Sequence, residues 1–564
     1  MPVELLDSRR LTGPNVLADG PAAVIDVRAA AADVDALVAA WRTQVRRMLD
    51  AVGWTDSRLA ERRVDGGVSL GFTAPADALY AATDLNDWAF EAASAVVGGS
   101  REPALDADAR QLADAIGRES NPRLLELAAA AAERGLPALV DDDEFSIGFG
   151  RSSRTWPVGE LPPLDRVPWE ELASVPVGLV TGTNGKTTTV RLAAAMARAA
   201  GLHTGVSSTD QIAVDDDVID YGDYSGPGGA RSVLRDERVD IAVLETARGG
   251  LLRRGAAVTR ATAAAVTNIA ADHLDDFGVP DLEALANIKW LVTRVLGTGG
   301  YAVLNAEDPL LVRRAAALEG PIVWFALDAE HPVITHHRAA GGAFCAVVDG
   351  WIVRGIGDAI TRLAPVAETP ITLAGAARHN VANCLAAAGL ANALGVPDDA
   401  IATALRTTRD DANPGRCNLF DVAGAKVLVD FAHNPHGVEA LRSVVESLGT
   451  GRRILMLGQA GDRGDEAIRA LAAAAWRLAP DEIVIKEMGQ YARGREPGEV
   501  AGILRDAFVG AGADPQNIRY EAEELDAVRS AVGLARPGDL VVALVHEDVD
   551  AVVSLVGRLA ASAG

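Results

Sequence analysis

Cysteine is scarce in this chain: three in 564 residues, Cys345, Cys384 and Cys417, far apart in sequence. None shows the short paired spacing of a metal knuckle, so spacing supports neither a disulfide framework nor a zinc site, and buried free thiols are the expectation. A basic excess is also missing. The formal net charge is −25, whereas binders of nucleic acid or membrane surfaces carry a basic stripe that displaces counterions. No nucleic-acid or membrane partner is expected, and a polyanion would need a local basic patch. No apolar run approaches the roughly 18 residues of a membrane span, and Met1 to Asp7 lacks a basic region followed by an apolar stretch. A cytoplasmic protein is the expectation. A Ser-His-Asp signature is absent, and Gly458, Gly461 and Gly464 are spaced by three, which is not the G-x-G-x-x-G turn of a dinucleotide site.

What is present is length and rhythm. A single hydrophobic core stops growing at about 250–300 residues, so 564 residues require several domains. Residues 1–165 mix alternating apolar pieces such as Ala23 to Val27 with Ala-rich helical stretches around Val34 to Val52 and Leu124 to Arg134, which predicts a mixed α+β domain. It ends in a Pro-rich run, Trp156 to Trp169, with Pro157, Pro162, Pro163 and Pro168, expected as an extended connector. Residues 166–412 alternate apolar runs (Val177 to Thr181, Ile241 to Glu245, Ala263 to Asn268, Tyr301 to Asn305) with Ala-rich helices such as Lys186 to Ala200. Continuously apolar strands alternating with helices predict a mainly parallel α/β sheet, buried on both faces, of the P-loop type. Residues 413–564 repeat the rhythm with strands at Lys426 to Asp430, Arg453 to Leu457, Glu482 to Lys486 and Leu540 to Val545, predicting a smaller Rossmann-like α/β domain.

The strongest local signal is Gly182-Thr183-Asn184-Gly185-Lys186-Thr187-Thr188, directly after a predicted strand and opening a predicted helix. Glycines let backbone N–H groups turn onto phosphate oxygens, and the helix N-terminus adds partial positive charge. Lys186 can reach terminal phosphates, and the Thr187 hydroxyl can ligate Mg²⁺. Only two residues separate the glycines, against four in the general P-loop. Glu245 and His273 follow the ends of later strands, where parallel sheets gather their ligand, and are available to Mg²⁺ beside the phosphates. Lys289 by itself reads as an ordinary helix lysine.

In combination these segments resemble the Mur ligase superfamily, and within it the Mur-ligase-like half of the cyanophycin synthetases, from about Val177 to Val556. The short loop is the form that Mur ligases and folylpolyglutamate synthetases carry. The further matching stretches are Val243 to Gly250, Thr267-Asn268-Ile269 with Ala271 to Leu274, Ala302 to Asn305 with Asp308-Pro309, and Arg378 to Asn383. Asn413 to Arg416, Val429 to Pro435, and Gly461-Asp462-Arg463 with Asp465 complete the set. The resemblance implies that Asn380 holds adenine, Arg416 contacts the nucleotide phosphates and Asp430 binds ribose. It also implies that Glu245 and His273 hold Mg²⁺, and that Lys289 matches a lysine often carbamylated as an extra metal ligand.

The implied activity is ATP-dependent amide formation: a carboxylate attacks the γ-phosphate to give an acyl-phosphate and ADP, and the amine of an amino acid then displaces phosphate. The acceptor would be a carboxylate-bearing peptide or small molecule. By position Ser207, Ser208, Thr209 and Ser225 would line the carboxylate site, while Arg463, Arg493 and Arg495 would face the amino acid. Two departures stand out. Phe431 occupies a position where relatives commonly have tyrosine, and the connector near 156–169 leaves no room for the ATP-grasp module of the cyanophycin synthetases. A separate ATP-grasp ligase as partner, a homo-oligomer, and a plain P-loop NTPase are left open at this point.

Overall fold

The computed structural model describes residues 3–64, 66–272, 274, 278–409, 413–449 and 451–563. Its strands fall into sheets of four, three, eleven and six. The four-stranded sheet is antiparallel and belongs to the amino-terminal region, with Ala22–Arg28 between Glu4–Leu11 and Gly67–Thr73. Strand side chains alternate, so Ala23, Ile25 and Val27 pack with Trp41 and Phe72 under the helices Ala31–Ala51 and Leu79–Gly98, while Ala22 and Val24 point to the other face.

The Pro-rich run is more ordered than an extended connector. Arg154–Pro157 is the edge of a three-stranded sheet with Ala138–Val140 and Glu144–Ile147. The prolines that forbid an α-helix instead start short 3₁₀ turns, Val158–Glu160, Leu164–Arg166 and Trp169–Glu171. Their apolar residues Leu161, Val167 and Leu172 pack on Leu124 and Leu127, and Arg134 stacks 4.2 Å from the Trp169 ring centre.

The eleven-stranded sheet carries the predicted parallel core. Thr204–Ser207, Ile241–Glu245, Val177–Thr181, Ala261–Val266, Leu296–Asn305, Ile322–Ala326 and Ala343–Val348 lie side by side and parallel. Antiparallel strands flank them on both edges. Val177–Thr181 and Ile241–Glu245 are buried throughout because both faces are covered. One apolar layer includes Val190, Leu385 and Ile401; the opposite layer includes Val233, Leu285, Leu311 and Ile334.

The six-stranded sheet is parallel except for its first pair, in the order Asn418–Val422, Ala425–Asp430, Leu540–Leu544, Arg453–Leu457, Glu482–Lys486, Ile518–Glu521. Its carboxyl ends face the phosphate loop, as the contacts below show. The amino-terminal sheet closes onto the central one through backbone: Thr12 donates to the Arg254 carbonyl at 2.8 Å and Ala256 to that of Pro14 at 2.6 Å. A Cβ on Gly13 would fall 2.2 Å from the Ala256 oxygen, which explains glycine there. Among the described residues no helix is long and apolar enough to cross a membrane.

Candidate active site

The phosphate loop is held open by its neighbours. Thr183 N–H donates to the Asn268 carbonyl at 2.9 Å, Asn184 N–H to the Asn268 side chain at 3.0 Å, and Thr267 Oγ1 to the Asn184 carbonyl at 2.7 Å. A Cβ on Gly182 would sit 1.9 Å from Thr267 Oγ1, and one on Gly185 would sit 2.2 Å from Asn383 Oδ1. Only glycine permits this packing, and both residues have positive φ. Lys186 begins the helix Lys186–Ala199 and donates to the Thr183 carbonyl at 3.1 Å.

Glu245, 2% exposed at the end of its strand, accepts from Thr187 Oγ1 at 2.9 Å and Thr209 Oγ1 at 2.7 Å. A hydroxyl and a carboxylate side by side are hard oxygen donors suited to Mg²⁺. Lys289, 4% exposed, donates to the Gly182 carbonyl at 2.7 Å. Burial, and then the nearby Lys186 charge, hold its amine well below the ordinary lysine value. His273 lies outside the described residues.

The carboxy-terminal domain reaches this loop directly. Asn434 and Asn184 exchange side-chain hydrogen bonds at 3.1 and 3.2 Å, and Asn184 also donates to His436 Nδ1 at 2.8 Å. Asn434 further donates to Asp272, 3.2 Å away, which ion-pairs with Arg463 at 3.5 Å. Asn413 donates to Thr188 Oγ1 at 3.1 Å and accepts from Arg191 at 3.0 Å. Asn380 is buried, donating to the Ile371 carbonyl and accepting from Asn383. Arg416 stacks 4.1 Å from the Phe431 ring centre, so the aromatic face matters at 431 even without a hydroxyl. Both Asp430 oxygens accept backbone N–H groups, from Cys417 and Ala432, at 2.8 Å.

These groups line one cleft of about 2570 Å³ that runs between all three regions. Its walls include Lys186, Glu245, Lys289, Asn380, Arg416 and Asp430, together with Thr209, Ser225, Arg463 and Arg493. Four expected residues are not on the walls, Gly182 among them, its carbonyl bonded by Lys289 behind the loop. Ser207 and Ser208 are buried; the Ser208 hydroxyl accepts from Asp210 and Gln211 and so builds the turn rather than the cleft. Arg495 is tied to Glu499, Asp465 and the carbonyls of Gly461 and Arg463, a structural role.

Sequence reasoning left several wall residues unassigned. Asp272 and His436 on the wall, and the buried Asn434 that bonds to Asp272 and Asn184, sit in or beside the matching stretches, but their pairing depends on how two domains meet. The far wall is the polar face of the amino-terminal sheet, including Arg9, Asp26, Arg28 and Ser69, opposite Arg248, Arg253 and Arg254 of the helix Arg248–Arg254. Alternation along Ala22–Arg28, with Asp26 and Arg28 on the face opposite Ile25 and Val27, was the available signal.

Known proteins share the central and carboxy-terminal regions of this chain. Residues 180–391 match the Mur ligase middle domain and 415–544 the Mur ligase glutamate ligase domain. A cyanophycin synthetase of Crocosphaera subtropica is 36% identical over 395 residues, covering 69% of this chain and 44% of that protein. The chain thus spans less than half the length of such relatives. A UDP-N-acetylmuramoyl-L-alanyl-D-glutamate–2,6-diaminopimelate ligase of Geobacter metallireducens is 30% identical, covering 66% of this chain and 74% of that one. The structure of E. coli FolC in complex with DHPP and ADP aligns with a TM-score of 0.50 at 20% identity, covering 68% of this chain and 89% of that one, a likeness of fold.

Proposed function

The chain belongs to the Mur ligase superfamily, and from that premise we propose that it uses ATP to join a substrate carboxylate to the amine of an amino acid through an acyl-phosphate. The observation that carries the reading is the joint grip on the phosphate loop: Glu245 of the central sheet holds Thr187 of the loop on one side, and Asn434 and His436 from the carboxy-terminal domain hold Asn184 on the other. A plain NTPase has no need of the second grip.

In this reading the loop N–H groups and Lys186 hold the β- and γ-phosphates, Asn380 the base, Asp430 the ribose and Arg416 the phosphates from the far side. Thr187, Glu245 and His273 would hold Mg²⁺, which supplies charge neutralisation at the γ-phosphate when bound. Lys289, whose amine burial pushes well below the ordinary lysine value, would take up carbon dioxide as a carbamate, giving up a proton. The carboxylate oxygen attacks phosphorus as ADP leaves; the amine nitrogen then attacks the carbonyl carbon, phosphate leaves and the amine loses a proton. Positioning and electrostatics supply most of the catalysis in phosphoryl transfer, so no side-chain nucleophile is required. Thr209 and Ser225 border the carboxylate, Arg463 and Arg493 the amino acid, and the amino-terminal sheet receives the rest of the acceptor. Guanidinium forks suit carboxylates on such an acceptor.

The test is an ADP-release screen of the purified chain with Mg-ATP, pairing acidic peptides, aspartate chains among them, with each amino acid. Release that depends on both partners and adds the amino-acid mass to the acceptor is expected. Release without mass gain would leave an NTPase instead.

A further inference from the structure

Behind the Asp430 wall, three side chains distant in sequence meet. His379, Cys417 and Asp430 place an imidazole nitrogen, a thiol sulfur and a carboxylate oxygen within 4.8 Å of one another. His379 opens the helix Arg378–Ala393 of the central domain, whereas Cys417 and Asp430 belong to the carboxy-terminal one. Cys417 Sγ is 3.4 Å from His379 Nε2.

The tautomer is set from behind. The Ala440 carbonyl lies 3.2 Å from His379 Nδ1 and can only accept, so Nδ1 carries the proton and Nε2 presents its lone pair to the sulfur. This backbone-oriented imidazole is the arrangement that protein metal sites use to aim a histidine ligand. Asp430 is likewise fixed, since each oxygen accepts one backbone N–H and keeps a second lone pair. Cys417 is 1% exposed and held at φ 58°, a conformation that costs a non-glycine residue energy and persists where surroundings impose it. His379 and Asp430 both line the cleft, which gives an ion a way in and a place for a water ligand.

We propose that His379, Cys417 and Asp430 form a binding site for a borderline-soft divalent ion of the Zn²⁺ type, which bridges the central and carboxy-terminal domains. One nitrogen, one sulfur and one oxygen donor, with a fourth position open to water, is a zinc-like set rather than a magnesium-like one. Binding replaces the thiol proton, which leaves to solvent; His379 and Asp430 need lose none. An ion held by groups from two domains stabilises only their docked arrangement, so it raises the folding midpoint by mass action. This site shares Asp430, but neither Thr187 nor Glu245, with the proposed ATP site, and the inference does not depend on the chain being a ligase.

The other two thiols make the test clean. Cys345 and Cys384 are buried in the apolar core of the central domain and belong to no such cluster of donors among the described residues. The full chain is titrated with Co²⁺ under reducing conditions. One equivalent should bind with a thiolate-to-cobalt charge-transfer band; Cys417→Ser and His379→Gln should each abolish the band, and Cys384→Ala should keep it. Zn²⁺ should raise the melting temperature of the wild type and leave Cys417→Ser unmoved. No band in the folded wild-type chain, or a band that survives Cys417→Ser, would overturn the site and leave a hydrogen-bonded triad.

Discussion

The phosphate loop and the carboxy-terminal wall of the cleft are built on opposite plans. The loop is held by neutral hydrogen bonds with Thr267 and Asn268 at the end of a neighbouring strand and by glycines with no room for a Cβ. The wall formed by His546 and Glu547 hangs on a charge: the Glu524 carboxylate accepts N–H groups of His546, Glu547 and Asp548 and is itself paired with Lys486, both buried in the core. The loop's shape therefore rests on neutral bonds to the neighbouring strand end, while the wall's shape depends on a buried ion pair.

That contrast can be broken at the wall first. Lys486→Met leaves Glu524 buried without its countercharge, and the expected loss is about 3–5 kcal/mol of stability by chemical denaturation. ATP binding to the folded fraction should be little changed and the amino-acid KM raised; an unchanged denaturation midpoint would mean the pair is not the anchor. Lys186→Ala should do the reverse. Its amine makes one part-buried bond to the Thr183 carbonyl, so the melting temperature should change little while turnover falls about 10²–10³-fold, the range for losing one preorganised charge contact.

Asn434→Ser sharpens the comparison, because serine keeps the cap on the helix Pro435–Ser447 but loses the bonds to Asn184 and Asp272. Three hydrogen bonds, two with Asn184 and one with Asp272, at about 0.5–1.5 kcal/mol each predict at least roughly a tenfold fall in kcat, read by steady-state kinetics, with the ATP Kd steady. The smallest effect is expected at the acceptor wall. Arg28 pairs with Glu4 at the surface, and such pairs contribute about 0–1 kcal/mol. Arg28→Ala should leave stability unchanged and raise only the acceptor KM.

The same contrast explains what was legible in the sequence. Gly182 to Thr188, Glu245 and the strand ends around them were readable because a parallel sheet places strand carboxyl ends together whatever surrounds them. Ser207 and Ser208 lie off the cleft wall, and the Ser208 hydroxyl serves a turn; a serine after a strand does that as readily as it meets a ligand, and no spacing separates the two. Arg495 matched a plausible pattern but is consumed by Asp465 and Glu499. Asp272 with Arg463, and Cys417 with His379, became visible only once two domains were docked, since their pairing has no local periodicity. The Pro-rich run announced its end to helix formation but not its packing on Leu124 and Leu127.

The central claim is amide formation through an acyl-phosphate, and isotope transfer tests it most directly. An acceptor labelled with ¹⁸O in its carboxylate, supplied with ATP and its amino acid, should pass one labelled oxygen into the released phosphate for every amide formed. Phosphate free of label, with ADP released all the same, would contradict the account.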